Sequence, residues 1–152
     1  MTTITLESIK TEQSRIAEMI AAFEAQQAVR FPLSIAMPDI NEGERYVGVI
    51  ISADGTKRHH VILLPGEIDT ANWKKSTKWA ESLGGALPDR VESALLFATM
   101  KDEFKPEWYW TRELYAPESG YAWCQKFSHG SQGSTTLSAS LLHARAVRRL
   151  PV

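Results

Sequence analysis

Cysteine is almost missing from this 152-residue chain: Cys124 is the only one. No intrachain disulfide can form, and no cysteine pair is available for redox or metal chemistry. Neither sign of charge is in excess. The net charge is -1, so no global field draws the chain to nucleic acid or to an anionic membrane. No apolar run reaches the roughly 18 residues needed to cross a bilayer, so membrane insertion is not expected. The first residues, Met1-Thr2-Thr3-Ile4-Thr5-Leu6-Glu7, lack the basic start and apolar centre of a signal peptide. Together with the single cysteine, that points to the cytoplasm. Carboxylates are absent from Ser119 to Val152, which starves any calcium site there of its usual oxygen ligands.

What is present is an ordinary globular composition. At 43% hydrophobic and 23% charged, the chain has enough apolar surface for one domain with a short appendage. Residues 1–30 read as an N-terminal helix. Ile9, Ile16, Met19, Ile20 and Phe23 recur at helical spacing and form one stripe. Thr5 or Ser8 can cap its start, and Pro32 ends the pattern. The stripe suits either a homo-oligomer or docking on the rest of the chain, with Ile9, Ile16, Met19 and Phe23 as the contact residues.

Residues 31–44 read as a linker, with Pro32, Pro38 and Gly43. Two β-branched runs, 45–52 and 58–64, flank Asp54-Gly55 and predict a hairpin. Thr70 can cap a helix carrying Trp73 and Trp79, stopped by Gly84-Gly85. Asp89, with Glu92 three residues on, has the spacing of a capping box for a second helix from Arg90 to about Lys101. Strands follow at 108–111 and 121–127, separated by the Pro117-to-Gly120 turn. Residues 128–140, rich in Ser, Gly and Thr, read as a long exposed loop. The chain closes on a strand at 144–150.

The order of these pieces resembles the DUF1566 family of bacterial and phage proteins, which has a C-type-lectin-like fold. The carriers are Trp79-Ala80, Gly85-Ala86-Leu87-Pro88, Glu92, Tyr109-Trp110-Thr111, Ala122-Trp123, Phe127 and Ala144-Arg145-Ala146-Val147-Arg148. The match covers about residues 45–150. The aromatic and Arg that usually precede Leu-Pro are missing, and the first helix is not part of the pattern. The resemblance implies an α+β, C-type-lectin-like domain over 45–152: two helices packed on small antiparallel sheets, with the helical extension before it. It also implies a phage or prophage setting, either in the host cytoplasm or on a virion.

Fold alone does not select a function, so the residues must. The lectin calcium motifs, Glu-Pro-Asn or Gln-Pro-Asp with a Trp-Asn-Asp, do not occur. His59 and His60 point to opposite faces of a strand and cannot share an ion. His129 and His143 lack an obvious third ligand. Cys124 reads as a small core residue. The glycines of Gly130-Ser131-Gln132-Gly133-Ser134 are followed by no Lys and preceded by no elbow strand. No catalytic set, cofactor or metal is therefore expected.

Trp73, Trp79 and Trp123 read as core pieces. Trp108 and Trp110 share one strand face, Tyr109 and Thr111 the other, and one of these faces should be exposed. Arg145, Arg148 and Arg149 read as a solvated or paired edge. The expected function is non-enzymatic recognition of a protein or glycan. Its surface comprises Trp110, Arg112, Glu113, Tyr115 and Tyr121, with Ser131, Gln132, Ser134, Thr135 and Thr136 on the polar loop. One alternative is a small phage effector that binds and inhibits a host intracellular defence protein. Another is a structural virion or fibre component multimerised through the first helix.

Overall fold

The computed structural model of the chain describes residues 4–28 and 35–152, in two units. Pro32 and the start of the linker lie outside the described residues. In the first unit, α1 spans Leu6–Ala28. Thr5 and Ser8 cap its start reciprocally, each backbone N–H reaching the other's hydroxyl at 3.2 Å. The stripe is present, and Ile9, Ile16, Met19, Ile20 and Phe23 are all exposed. Among the described residues, no helix is long and apolar enough to cross a membrane.

The second unit, 37–152, is a mixed α+β domain with two small sheets. It begins earlier than the linker reading expects. Arg148 donates to the Glu44 carboxylate from Nε at 2.9 Å and from Nη2 at 2.6 Å, and to the Asp39 carbonyl at 3.0 Å. The Arg148 hydrogen bonds hold the Glu44 carboxyl down at about 2.

The three-stranded sheet has β1 (Arg45–Ile51) beside β2 (Arg58–Leu63), with β8 (Val147–Pro151) on the far side. All its pairs are antiparallel. The expected hairpin forms, with Asp54 organising its turn. The Asp54 carboxylate accepts from Ser52 Oγ at 2.5 Å and from the Thr56 N–H at 3.1 Å, while Gly55 supplies the left-handed φ of +71°.

The five-stranded sheet runs β3 (Ile68–Ala71), β7 (Leu142–Ala144), β4 (Trp108–Leu114), β5 (Tyr121–Lys126), β6 (Gln132–Thr136). Here the sequence reading needs three corrections, the first being that β7 runs parallel to β4, so this sheet is mixed and not wholly antiparallel. The polar segment 128–140 is not one long loop, because 132–136 pair with β5 as β6. The closing strand is two strands in different sheets, β7 and β8. The chain changes sheet at Arg145, which is buried. Its Nη1 donates to the Glu103 carbonyl at 2.7 Å and its Nη2 to the Leu64 carbonyl at 3.3 Å. Arg145 is thus no solvated edge residue.

Two helices cover the sheets. α2 (Trp73–Ser82) is capped by Asn72, whose side chain accepts from the Lys75 N–H, in place of the expected Thr70. It ends at Leu83, and Gly85 then lies hard against β8. A Cβ at Gly85 would stand 2.6 Å from both Leu64 Cδ1 and the Val147 carbonyl oxygen. Only glycine permits this approach, which lets Ala86 bridge to Val147. α3 (Arg90–Met100) carries the predicted capping box: Asp89 accepts from the Glu92 N–H, and Glu92 accepts from the Asp89 N–H, both at 2.8 Å.

Over Tyr109, Trp110 and Thr111 both faces of β4 are buried, so neither face of that stretch is a free binding surface, while Arg112 and Leu114 at its end are exposed. Trp110 packs with Leu64, Leu87, Ala122, Cys124 and Ala144. Its indole N–H donates to the Ala71 carbonyl at 2.8 Å. Tyr109 packs in a second cluster with Val61, Leu63, Leu96 and Phe127. Phe104 stacks on Phe127 at 3.9 Å between ring centroids.

Candidate functional site

A cationic–aromatic face forms where the start of α3 crosses β5. The capping box fixes the first turn of α3 and so fixes Arg90. Its guanidinium lies over the Trp123 ring, 3.7 Å from the centroid. Its Nε donates to Gln132 Oε1 at 2.9 Å, while Gln132 Nε2 donates to the Arg90 carbonyl at 2.8 Å. Gln132 Nε2 also donates to Gln125 Oε1 at 2.8 Å, and Gln125 Nε2 donates to the Ser93 carbonyl at 2.9 Å. Arg90 is thus held in one pose by a chain of amides reaching into the core.

β4 delivers the next residues. Its pairing with β5 is irregular between Trp110 and Leu114. Within that bulge the Arg112 N–H donates to the Pro88 carbonyl at 2.9 Å, and Thr111 Oγ1 donates to the Trp123 carbonyl at 3.0 Å. The bulge turns this stretch toward the start of α3, a common use of bulges beside sites. Glu113 Oε1 accepts from the Arg90 N–H at 3.2 Å. Arg112 Nη2 is 4.0 Å from Asp89 Oδ2 and remains exposed. Tyr115 meets Trp123 edge to face, with centroids 5.1 Å apart. Its backbone N–H donates to the Tyr121 carbonyl at 2.9 Å.

Of the residues expected to bind, Arg112, Glu113, Tyr115 and Gln132 therefore come together. Trp110 does not join them: it is completely buried. Tyr121 is half-buried at the start of β5, paired with Thr136. Ser134 is exposed on β6. Ser131 bonds to His129 Nε2 at 2.8 Å. Thr135 and Thr136 share the Ser140 hydroxyl, at 2.6 and 3.1 Å. They brace a turn rather than lie in a free loop. Trp123, expected in the core, is a half-buried part of this face. Arg90 was not anticipated. The signal for it was its place directly after the capping Asp89, which puts it on the first helical turn.

A second cluster gathers Glu67, Asp69 and His143, whose ligand-capable atoms lie within 4.8 Å of one another. His143 Nδ1 is 3.0 Å from Glu67. Sequence left His143 without a third ligand because Glu67 and Asp69 are far away along the chain. The Lys105 ammonium already pairs with both carboxylates, at 3.3 Å from Glu67 and in direct contact with Asp69. The Lys105 hydrogen bond lowers the Asp69 carboxyl, and Asp69 raises Lys105 in return. The Lys105 ammonium thus offsets one of the two carboxylate charges that a metal would use.

Cys124 is buried, as expected. Burial pushes its thiol up to about 11, and it donates to the Gly133 carbonyl at 3.5 Å. Neither a protein-family model nor a curated protein matches this chain.

Proposed function

We propose that residues 37–152 form a recognition module of C-type-lectin-like architecture. It is non-enzymatic and binds a protein ligand through the face built by Arg90, Arg112, Glu113, Tyr115 and Trp123. The observation that carries this reading is the preset pose of Arg90, stacked on Trp123 and hydrogen-bonded to Gln132. A side chain already held in place loses little freedom on binding, and Arg, Tyr and Trp are the residues that most often dominate protein interfaces. A glycan ligand fits less well, because the Arg90 guanidinium covers a ring face that a sugar would use for stacking. The phage or prophage setting, with a host intracellular protein as one candidate partner, rests on the resemblance alone.

The test starts with affinity capture from bacterial lysate and calorimetry on the partner recovered. Arg112→Ala with Tyr115→Ala should weaken binding by about tenfold or more, roughly 1.4 kcal/mol, and leave the melting temperature nearly unchanged. Normal binding by the double variant overturns the assignment of this face. A structural role, with copies multimerised through α1, is the second reading, favoured by the exposed apolar stripe of that helix.

A further inference from the structure

Four strands lie at sheet edges: β1 and β8 in one sheet, β3 and β6 in the other. An open edge is a template for pairing with another chain, and proteins usually blunt it with bulges, charges or proline. Three of these edges are blunted. β1 is irregular between Tyr46 and Gly48. β3 is irregular between Ile68 and Ala71, and Asp69 there is tied to Lys105. β8 carries Arg148, Arg149 and Pro151. β6, reading Gln132-Gly133-Ser134-Thr135-Thr136, has no charge, no proline and no register shift against β5.

The free groups on β6 follow from its register. The Lys126 N–H donates to the Ser131 carbonyl and the Leu137 N–H to the Gly120 carbonyl. Antiparallel pairs alternate between bonded and non-bonded. Gly133 and Thr135 therefore turn their backbone groups inward to β5, while Gln132 and Ser134 turn theirs outward. Among the described residues, the outward N–H and C=O groups of Gln132 and Ser134 have no partner.

Beside this edge lies a pocket of about 200 Å³, lined by Trp108, Cys124, Gly133, Ser134, Thr135 and Leu142. It is smaller than the roughly 300–1,000 Å³ of small-molecule sites, and suits a single inserted side chain. Gly133 keeps it open: the nearest atom to a Cβ placed there is Cη2 of Trp108, at 3.5 Å.

From these two observations we infer that β6 takes up an extended segment of a partner protein as an added strand, with one apolar side chain of that segment entering the Trp108–Leu142 pocket. The outward backbone groups call for an extended chain. A residue paired with Gly133 points to the pocket's face of the sheet, so backbone pairing and side-chain insertion act together, as in other strand-addition complexes. A second copy of this chain fits less well. Two-fold pairing about Ser134 would bring only Thr135 opposite Gly133, and that side chain is too short to fill the pocket. This inference rests on the recognition reading above and names the form of the ligand.

The probe is a degenerate library of short peptides with one central leucine or phenylalanine, selected against the full chain. Binders should lose affinity by about tenfold or more on Ser134→Pro. That substitution removes an outward N–H and leaves the β5 pairing intact, since proline is tolerated where a strand's N–H faces solvent. Gly133→Leu, which fills the pocket, should act likewise. Should Ser134→Pro fail to fold, N-methylation of the peptide gives the same answer without touching the protein. Methyl groups at alternate residues should abolish binding, and those between them should not. No binders, or binders indifferent to both Ser134→Pro and alternate N-methylation, overturns the strand-addition mode. A doubling of mass that Ser134→Pro abolishes assigns the edge to a second copy and overturns it too. Arg112→Ala with Tyr115→Ala, run in parallel, tests the neighbouring face separately, so failure of one reading is not mistaken for failure of the other.

Discussion

Arg149 forks onto both carboxylate oxygens of Glu92, Nε to Oε1 at 2.6 Å and Nη2 to Oε2 at 2.5 Å, where Glu92 has no solvent exposure at all. The same carboxylate meets His59 Nε2 at 2.9 Å and closes the capping box of α3. One side chain thus fastens the helix to both β2 and β8. Burial pushes the Glu92 carboxyl up, but the Arg149 bonds and the Asp89 N–H outweigh it and hold it below its ordinary 4.5. Removing one member of a buried pair strands the other charge. Arg149→Met should therefore cost about 3–5 kcal/mol in urea unfolding. A loss under 1 kcal/mol would show that the pair is replaceable.

The same carboxylate predicts acid sensitivity, with a definite sign. A carboxyl lowered on folding stabilises the fold above its unfolded value. That contribution disappears as pH falls through the lower folded value. Glu92 and Glu44 are both lowered, Glu44 to about 2. Urea midpoints should hold near neutral pH and fall steadily below about pH 4.5. Glu92→Gln should be less stable at neutral pH and flatter across the acid range. An unchanged slope in that variant would mean that other carboxylates carry the effect.

Trp110 and Trp123 should respond differently to truncation. Trp110 is wholly buried and its N–H is satisfied by Ala71, so Trp110→Ala should cost about 3–5 kcal/mol. Trp123 is half-buried between Arg90 and Tyr115, so Trp123→Ala should lose only about 1–2 kcal/mol, the scale of one aromatic pair and one cation–π contact. Denaturant titration measures both. Equal losses would remove the distinction between core and face.

The contrast between these tryptophans shows what the sequence could and could not convey. Alternation along β4 correctly puts Trp108 and Trp110 on one face and Tyr109 on the other. It does not say how many faces a sheet has covered, and here α2 and α3 cover both. The helices were legible because caps and periodicity are local: Asp89 with Glu92, Thr5 with Ser8. β6 was not, because Gln-Gly-Ser-Thr-Thr has turn composition and becomes a strand only through its pairing with β5. Residues 144–150 look like one strand because nothing local marks Arg145 as a buried corner. The face proposed for binding was half legible. Arg112, Glu113 and Tyr115 follow the tryptophan strand in sequence, whereas Arg90 reaches Trp123 only through tertiary packing.

Cys124 should be chemically quiet. The thiolate is the reactive form, and burial lifts the thiol to about 11. Near neutral pH a disulfide reagent should label the folded chain only as fast as it opens, and denatured chain at once. Prompt labelling of the folded chain would mean that the pocket beside Gly133 admits the reagent.

The apolar stripe of α1 should drive self-association. Ile9, Ile16, Met19, Ile20 and Phe23 are each more than half exposed along one helix face. A helix such as this one of 23 residues draws most of its stability from packing of its apolar face rather than from propensity. Burying such side chains is worth about 1.5–3 kcal/mol each, so a second copy would stabilise both the helix and its stripe. Light scattering on the full chain should give a multiple of the chain mass, and helicity should rise with concentration. Ile16→Asp with Phe23→Asp places two charges in the middle of the stripe. It should return the chain to a monomer while the melting transition of the β-rich domain stays in place. If instead the double variant melts earlier with no change in mass, the stripe docks on the chain's own domain. If neither mass nor melting moves, the stripe has no partner in solution and the multimer reading falls.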